Sequence, residues 1–175
     1  MMCFDRYMGE RSLGRVGRKS DFGAAEAIFR QHADLIYRVA LHNLQNPADA
    51  EDILQEVCLV LLTKRIPEDE EHRKRWLIRV TINKCRDLSR SYWRRNRESL
   101  DDYQHLRAEE PPGVMEELEE LSESYRNIIY LYYYEEYTVS EIAEILKKNV
   151  NTVKSGLRRA REQLKETLIK EGEAP

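Results

Sequence analysis

Residues 138–164 read TVSEIAEILKKNVNTVKSGLRRAREQL, and this stretch decides the fold. Thr138 and Glu141 stand at the spacing of a capping box, in which hydroxyl and carboxylate satisfy the unpaired amides of a helix start. Ile142, Ala143, Ile145 and Leu146 supply the apolar side of the short helix that follows. Lys147, Lys148 and Asn149 are polar and predict a turn, since Asn tolerates the left-handed conformation. A second helix is expected from Asn151 or Thr152. Its apolar residues Val153, Leu157, Ala160, Leu164 and Leu168 form one stripe at helical period. The opposite side carries Thr152, Lys154, Ser155, Arg158, Arg159 and Arg161. A short helix, a tight turn and a basic second helix make a helix-turn-helix that fits a DNA major groove. An amphipathic hairpin with a solvated basic face has the same pattern.

Working outward, the charge distribution says more than the net charge of −3. Residues 73–97 hold ten Arg/Lys against Asp87, a local charge of +9. Residues 98–123 hold ten Asp/Glu against Arg107, a local charge of −9. Residues 147–165 hold seven Arg/Lys against Glu162, a local charge of +6. Two basic blocks parted by an acidic one suggest two nucleic-acid surfaces joined by a segment that avoids DNA.

The pattern predicts an all-α chain of two small helical domains joined by a flexible acidic linker, the second ending in the helix-turn-helix. Residues 1–20 read as a basic arm. The first domain covers 21–95. Its first helix is expected over 21–45, and Asn46-Pro47 then restarts the chain, with Asn as cap and Pro at the first helical position. The second helix reaches about Lys64. Pro67 and the run DEEH predict a loop, and a third helix follows over 73–95. Residues 96–114, with Pro111-Pro112-Gly113, read as linker, and 115–170 as the second domain. The relative placement of two such small units is expected to be loose.

No apolar run approaches the ~20 residues of a membrane span, and the N-terminal segment lacks the apolar core of a secretory signal. Cys3, Cys58 and Cys85 are far apart and odd in number, which points to free thiols in a reducing cytosol. Together with the four histidines they show no zinc spacing. No Gly-rich phosphate loop, nucleophile elbow or His-x-x-x-His pair is present. No metal, cofactor or catalytic residue is therefore expected, and the protein is read as a non-enzyme.

Two further helices carry functional patterns. In NPADAEDILQEVCLVLL, Asp49, Asp52 and Glu56 share one face, with Gln55 beside them. An ordinary solvated face with acids in its first turn looks the same; the functional reading is a docking surface for a basic partner protein. In RKRWLIRVTINKCRDLSRSYWRRNR, basic residues interleave with Trp76, Tyr92, Trp93 and Asn83. Cations neutralise phosphate and aromatics stack on exposed bases. Asn83 offers donor and acceptor to a base edge, and Asp87 lies one turn further on. Trp76, beside Leu77 and Val80, fits core packing equally well.

In order, DAEDILQEVCLVLL, RWLIRVTINKCRDLSR, the acidic linker, LSESYRNIIYLYYYEEYTVSEIAEIL and NTVKSGLRRAREQL resemble the extracytoplasmic-function branch of bacterial RNA polymerase sigma factors. The resemblance covers roughly residues 29–168. It implies a first domain like sigma region 2, which grips the polymerase clamp helices and melts the −10 element. Asp49, Asp52, Gln55 and Glu56 would then face core polymerase. Trp76, Arg79, Asn83, Lys84, Asp87 and Arg90, with the loop at 67–75, would lie near the unpaired strand. The second domain resembles region 4, which reads the −35 element; Thr152, Lys154, Ser155, Arg158 and Arg159 would face DNA. The linker would run through the RNA channel. The implied partners are core polymerase, promoter DNA and an anti-sigma factor, and the implied location is the cytoplasm.

Two departures stand out. The family usually has Gly in the turn, where this chain has Lys147-Lys148-Asn149. The family often has Arg where this chain has Gly156, which implies one DNA contact fewer or a closer backbone approach to DNA. The basic first 20 residues exceed what the family needs; they read as an extra DNA contact, a partner segment, or a consequence of start choice among Met1, Met2 and Met8. A stand-alone regulator using the same helix-turn-helix is the alternative, and it would need neither the acidic face nor the base-stacking helix. An RNA-binding adaptor, needing only the basic aromatic helix, is a third.

Overall fold

The computed structural model describes residues 19–95 and 121–172, with side chains over 22–92 and 121–166. Residues 1–18 of the basic arm, the whole linker, residues 115–120 and the side chain of Trp93 lie outside these. The described residues form six helices and no strand. They are α1 (Lys19–Leu44), α2 (Pro47–Thr63), α3 (Glu70–Arg95), α4 (Glu123–Tyr133), α5 (Val139–Leu146) and α6 (Val150–Gly172).

The helix starts follow from local chemistry. Asn46 is extended at φ −138°, and its Oδ1 accepts from the amides of Ala48 and Asp49 at 2.9 and 3.3 Å. Such a cap contributes about 1 kcal/mol. At α5 the Thr138 hydroxyl accepts from the Glu141 amide, and Glu141 accepts from the Thr138 amide at 2.9 Å, completing the capping box. Helix α3 begins earlier than expected, because the acidic run is its start rather than a loop. The Asp69 carboxylate accepts from the His72 amide at 2.7 Å, its carbonyl accepts from the Arg73 amide, and Glu70 and Glu71 occupy the first turn. Acids there favour the positive end of the helix dipole.

The turn between α5 and α6 also differs from expectation. Lys147, not Asn149, takes the left-handed conformation, at φ 51° and ψ 47°. Asn149 instead caps α6: its Oδ1 accepts from the Asn151 amide at 2.8 Å and its carbonyl from the Val153 amide. Asn is the better cap, and that requirement outcompetes its tolerance of positive φ.

Helices α1–α3 enclose one core, built from Phe29, Ile36, Ala40, Ala50, Ile53, Val57, Leu61 and Leu77 among others. A second core lies among α4–α6, around Ile128, Leu131, Ile142, Ile145, Val153 and Leu157. This second core does not stop at its own unit. Leu35 and Val39 of α1 and Ile78 and Ile82 of α3 belong to it, each at most 6% exposed. The expected loose placement is thus corrected. Both α1 and α3 carry a second apolar face, and burying it joins the two units.

Candidate docking and nucleic-acid surfaces

The acidic face of α2 points to solvent at Asp52 and Glu56, while Asp49 and Gln55 are half-buried. Burial raises the Asp49 carboxyl above its usual range, and the neighbouring Asp52 charge adds to this. Leu59 lies one turn beyond Glu56 and is 42% exposed. It adds an apolar residue to that face, which charge patterning does not reveal. Its only signal in the sequence is an aliphatic residue off the buried stripe of Ala50, Ile53, Val57 and Leu61. Lys84 Nζ of α3 sits 2.9 Å from Glu56 Oε2, so the acidic face and the basic helix are linked.

Helix α3 divides its polar residues between two environments. Asn83, Asp87 and Arg90 are exposed. Trp76 is half-buried and packs against the first core, the packing alternative for that residue. Arg75, Arg79 and Arg86 face the second unit. Arg79 Nε donates to the Ile145 carbonyl at 3.0 Å and Nη2 to the Glu144 carbonyl at 2.7 Å. Arg86 pairs with Glu123 at 2.7 Å and Arg75 with Glu141 at 3.4 Å. A groove between α3 and α5 is lined by Arg79, Ile82, Asn83, Arg86, Ile145, Leu146 and Lys147. It places Asn83 at the seam between the units.

On α6, Thr152, Lys154, Arg158 and Arg159 are exposed on the side opposite Val153, Leu157 and Ala160. Ser155 is half-buried, and its hydroxyl donates to the carbonyls of Asn151 and Thr152 at 2.9 and 3.1 Å. Arg158 pairs with Glu162 at 2.7 Å, an exposed i,i+4 pair worth little on its own. Arg161 Nε donates to the Tyr133 hydroxyl at 2.8 Å and lies over the rings of Tyr132 and Tyr133. Gly156 does not belong to this face. It is buried, and a Cβ there would lie 2.7 Å from Ile128 Cδ1 and 3.7 Å from the Tyr125 ring. The glycine allows α4 to approach α6, so the expectation that it shapes the DNA surface is corrected.

The family model for sigma-70 region 2 matches residues 28–97, and that for sigma-70 region 4 matches residues 113–164. The ECF RNA polymerase sigma factor SigW of Bacillus subtilis is 31% identical, over 86% of this chain and 92% of its own length. This chain belongs to the ECF sigma factor family. The ECF sigma factor SigE of Mycolicibacterium smegmatis is 28% identical over 95% of this chain and 70% of its own length. Among solved structures, the sigma factor RpoE of Bartonella quintana, in complex with the anti-sigma factor NepR, shares the fold. It superposes with a TM-score of 0.67 at 21% identity, covering 82% of this chain and 95% of that one. In this ECF sigma factor most of α1 and all of α2 and α3 fall within the region 2 match, and α4, α5 and most of α6 within the region 4 match.

Proposed function

We propose that this chain is an alternative sigma factor that binds bacterial RNA polymerase core and directs promoter-specific initiation. In this reading α2 docks on core through Asp49, Asp52, Gln55 and Glu56, with Leu59 beside them. Helix α3 captures the melted −10 strand, and α6 reads the −35 element through Thr152, Lys154, Ser155, Arg158 and Arg159. Residues 21–95 and 115–170 act as the two functional units and 96–114 as their connection. The chain works in the cytoplasm as an initiation factor rather than an enzyme; among the described residues no helix is long and apolar enough to cross a membrane. An anti-sigma partner is proposed from the solved relative captured with one.

The observation that carries this reading is the outward basic face of α6 on a helix-turn-helix closed by a complete capping box. Run-off transcription with purified core polymerase on genomic fragments tests it. The chain should direct initiation from discrete promoters and bind those fragments poorly without core. Arg158→Ala or Lys154→Ala, tried across single-base promoter variants, should cost ~1–3 kcal/mol and relax one position if the residue reads a base. A phosphate contact would instead weaken all sequences alike. Tight promoter binding by the free chain, with nothing added by core, would make it a stand-alone regulator.

A further inference from the structure

The groove between α3 and the end of α5 is lined by three cations, Arg79, Arg86 and Lys147, and by no acid. Ile82, Ile145 and Leu146 form its apolar wall, and Asn83 completes it. Both guanidiniums are already fixed in direction. Arg79 spends Nε and Nη2 on the carbonyls of Ile145 and Glu144, at 3.0 and 2.7 Å, and so covers the negative end of α5. Arg86 spends Nε on Glu123 at 2.7 Å. A guanidinium carries five N–H donors in a rigid fork, so Arg79 Nη1 and both Nη groups of Arg86 keep donors to give. Lys147 is exposed, and its ammonium meets no partner among the described residues. Its backbone stands at φ 51°, where Gly is the default residue. A strained position held by a side-chain-bearing residue points to a use for that side chain. The Asn83 amide is likewise without a partner among the described residues.

Spare donors on fixed guanidiniums, an unpaired ammonium and an apolar wall are the chemistry of an oxyanion site, because Arg forks match phosphate and a low local dielectric strengthens the attraction. The groove holds about 240 Å³ of empty space, its open mouth included, below the roughly 300 Å³ at which sites for drug-sized ligands begin. We propose that this groove binds a single phosphate-type oxyanion, taken by the spare N–H groups of Arg79 and Arg86 and by Lys147 Nζ, with Asn83 as a further donor. The ligand bridges α3 and the turn between α5 and α6. Free phosphate and the phosphodiester of a nucleic-acid backbone carry the same chemistry. The inference does not depend on the assignment of α3 to the melted strand.

Isothermal calorimetry on the full-length chain reads the site, with sodium phosphate titrated while sodium chloride holds the ionic strength constant. One saturable site per chain is expected, and the thermal midpoint should rise with phosphate, because the ligand binds only the folded chain. Lys147→Gly removes the ammonium and relaxes the turn. It should weaken phosphate binding about tenfold, the worth of one charge-assisted bond, with no loss of folding stability in the absence of phosphate. Arg86→Gln should weaken binding at least as much. Arg65→Gln removes an exposed cation that does not line the groove and should bind like the parent. Absence of saturable binding overturns the proposal. So does parent-like binding by Lys147→Gly, or an equal loss in all three variants, which would mark general screening. A thymidine dinucleotide, with its single phosphodiester, separates the two sources. Displacement of phosphate by the dinucleotide supports a site for a nucleic-acid backbone phosphate, and failure to displace it supports a site for the free anion.

Discussion

Asn43 and Asn127 face each other across the seam and exchange amide hydrogen bonds. Asn127 Nδ2 donates to Asn43 Oδ1 at 2.9 Å, and Asn43 Nδ2 donates to Asn127 Oδ1 at 3.1 Å. Each amide also donates back to its own helix, Asn43 to the Val39 carbonyl at 2.8 Å and Asn127 to the Glu123 carbonyl at 3.0 Å. The reciprocal bonds form only where Asn43 and Asn127 are opposed, so the pair favours this register of α1 against α4.

Asn127→Ala should destabilise the docked arrangement by about 1–3 kcal/mol, since it leaves the buried side of Asn43 unpaired. Amide hydrogen exchange would show the loss as weaker protection along the facing sides of α1 and α4, with α2 unaffected. Equal protection in both proteins would mean the apolar seam alone holds the units.

Gly156→Ala is expected to destabilise the second unit even though Ala favours helix by about 1 kcal/mol. The new methyl meets Ile128 Cδ1 at 2.7 Å, and overpacking of this kind costs roughly 1–3 kcal/mol. Ile128→Val deletes that carbon, so the double variant should recover most of the loss in urea denaturation. Gly156→Arg should lose folding stability rather than gain a DNA contact.

Lys147 holds a positive φ that costs a side-chain-bearing residue about 1–2 kcal/mol. Lys147→Gly relieves that strain but adds chain entropy of roughly 0.5–1 kcal/mol to the unfolded state. The net expectation is a stabilisation of about 0–1.5 kcal/mol, seen as a higher urea midpoint at unchanged slope.

His42 stacks on Tyr130 at 4.4 Å between ring centroids. Burial lowers its pKa to about 4; a backbone hydrogen bond involving Arg126 acts the other way, and the Arg126 charge lowers it further. The unfolded imidazole takes up a proton below about pH 6.5 while the folded one stays neutral until about pH 4. Stability is therefore complete above 6.5 and falls as pH drops through that window. Between pH 7 and 5 the loss from this group is roughly 2 kcal/mol. His32, lowered chiefly by burial and then by Arg73, adds in the same direction. His42→Phe keeps a ring against Tyr130 and should flatten the pH dependence of unfolding; an unchanged slope would place its origin elsewhere.

On α2, Asp52→Lys with Glu56→Lys should weaken core-polymerase binding with the helical circular dichroism signal intact. Exposed charge changes cost little stability, whereas repulsion at a docking surface costs several kcal/mol. Leu59→Ala should weaken the same binding by a smaller amount. Competition binding against the parent chain checks both, and unchanged affinity in the double variant removes α2 as the docking face.

Much of this chain was legible because its signals are local. The Thr138–Glu141 box, the Asn46-Pro47 start and the stripe Val153, Leu157, Ala160 act within a turn or two of helix, so residue type and spacing sufficed to place α2, α5 and α6. The exposed side of α6 followed directly, being the complement of its buried stripe. Local signals also misled where two roles competed for one residue: Asn149 served as a cap rather than a left-handed turn, and the acids before Arg73 began a helix. What only the tertiary structure decided is the seam. Leu35, Val39, Ile78 and Ile82 look like ordinary core residues in sequence, because periodicity shows that a face is apolar but not which partner covers it. The same holds for Arg79 and Arg86, whose acceptors lie 65 and 37 residues away. It holds for Gly156, whose reason is an isoleucine on another helix. Burial of a second apolar face is a long-range choice, and no residue's own neighbourhood records it.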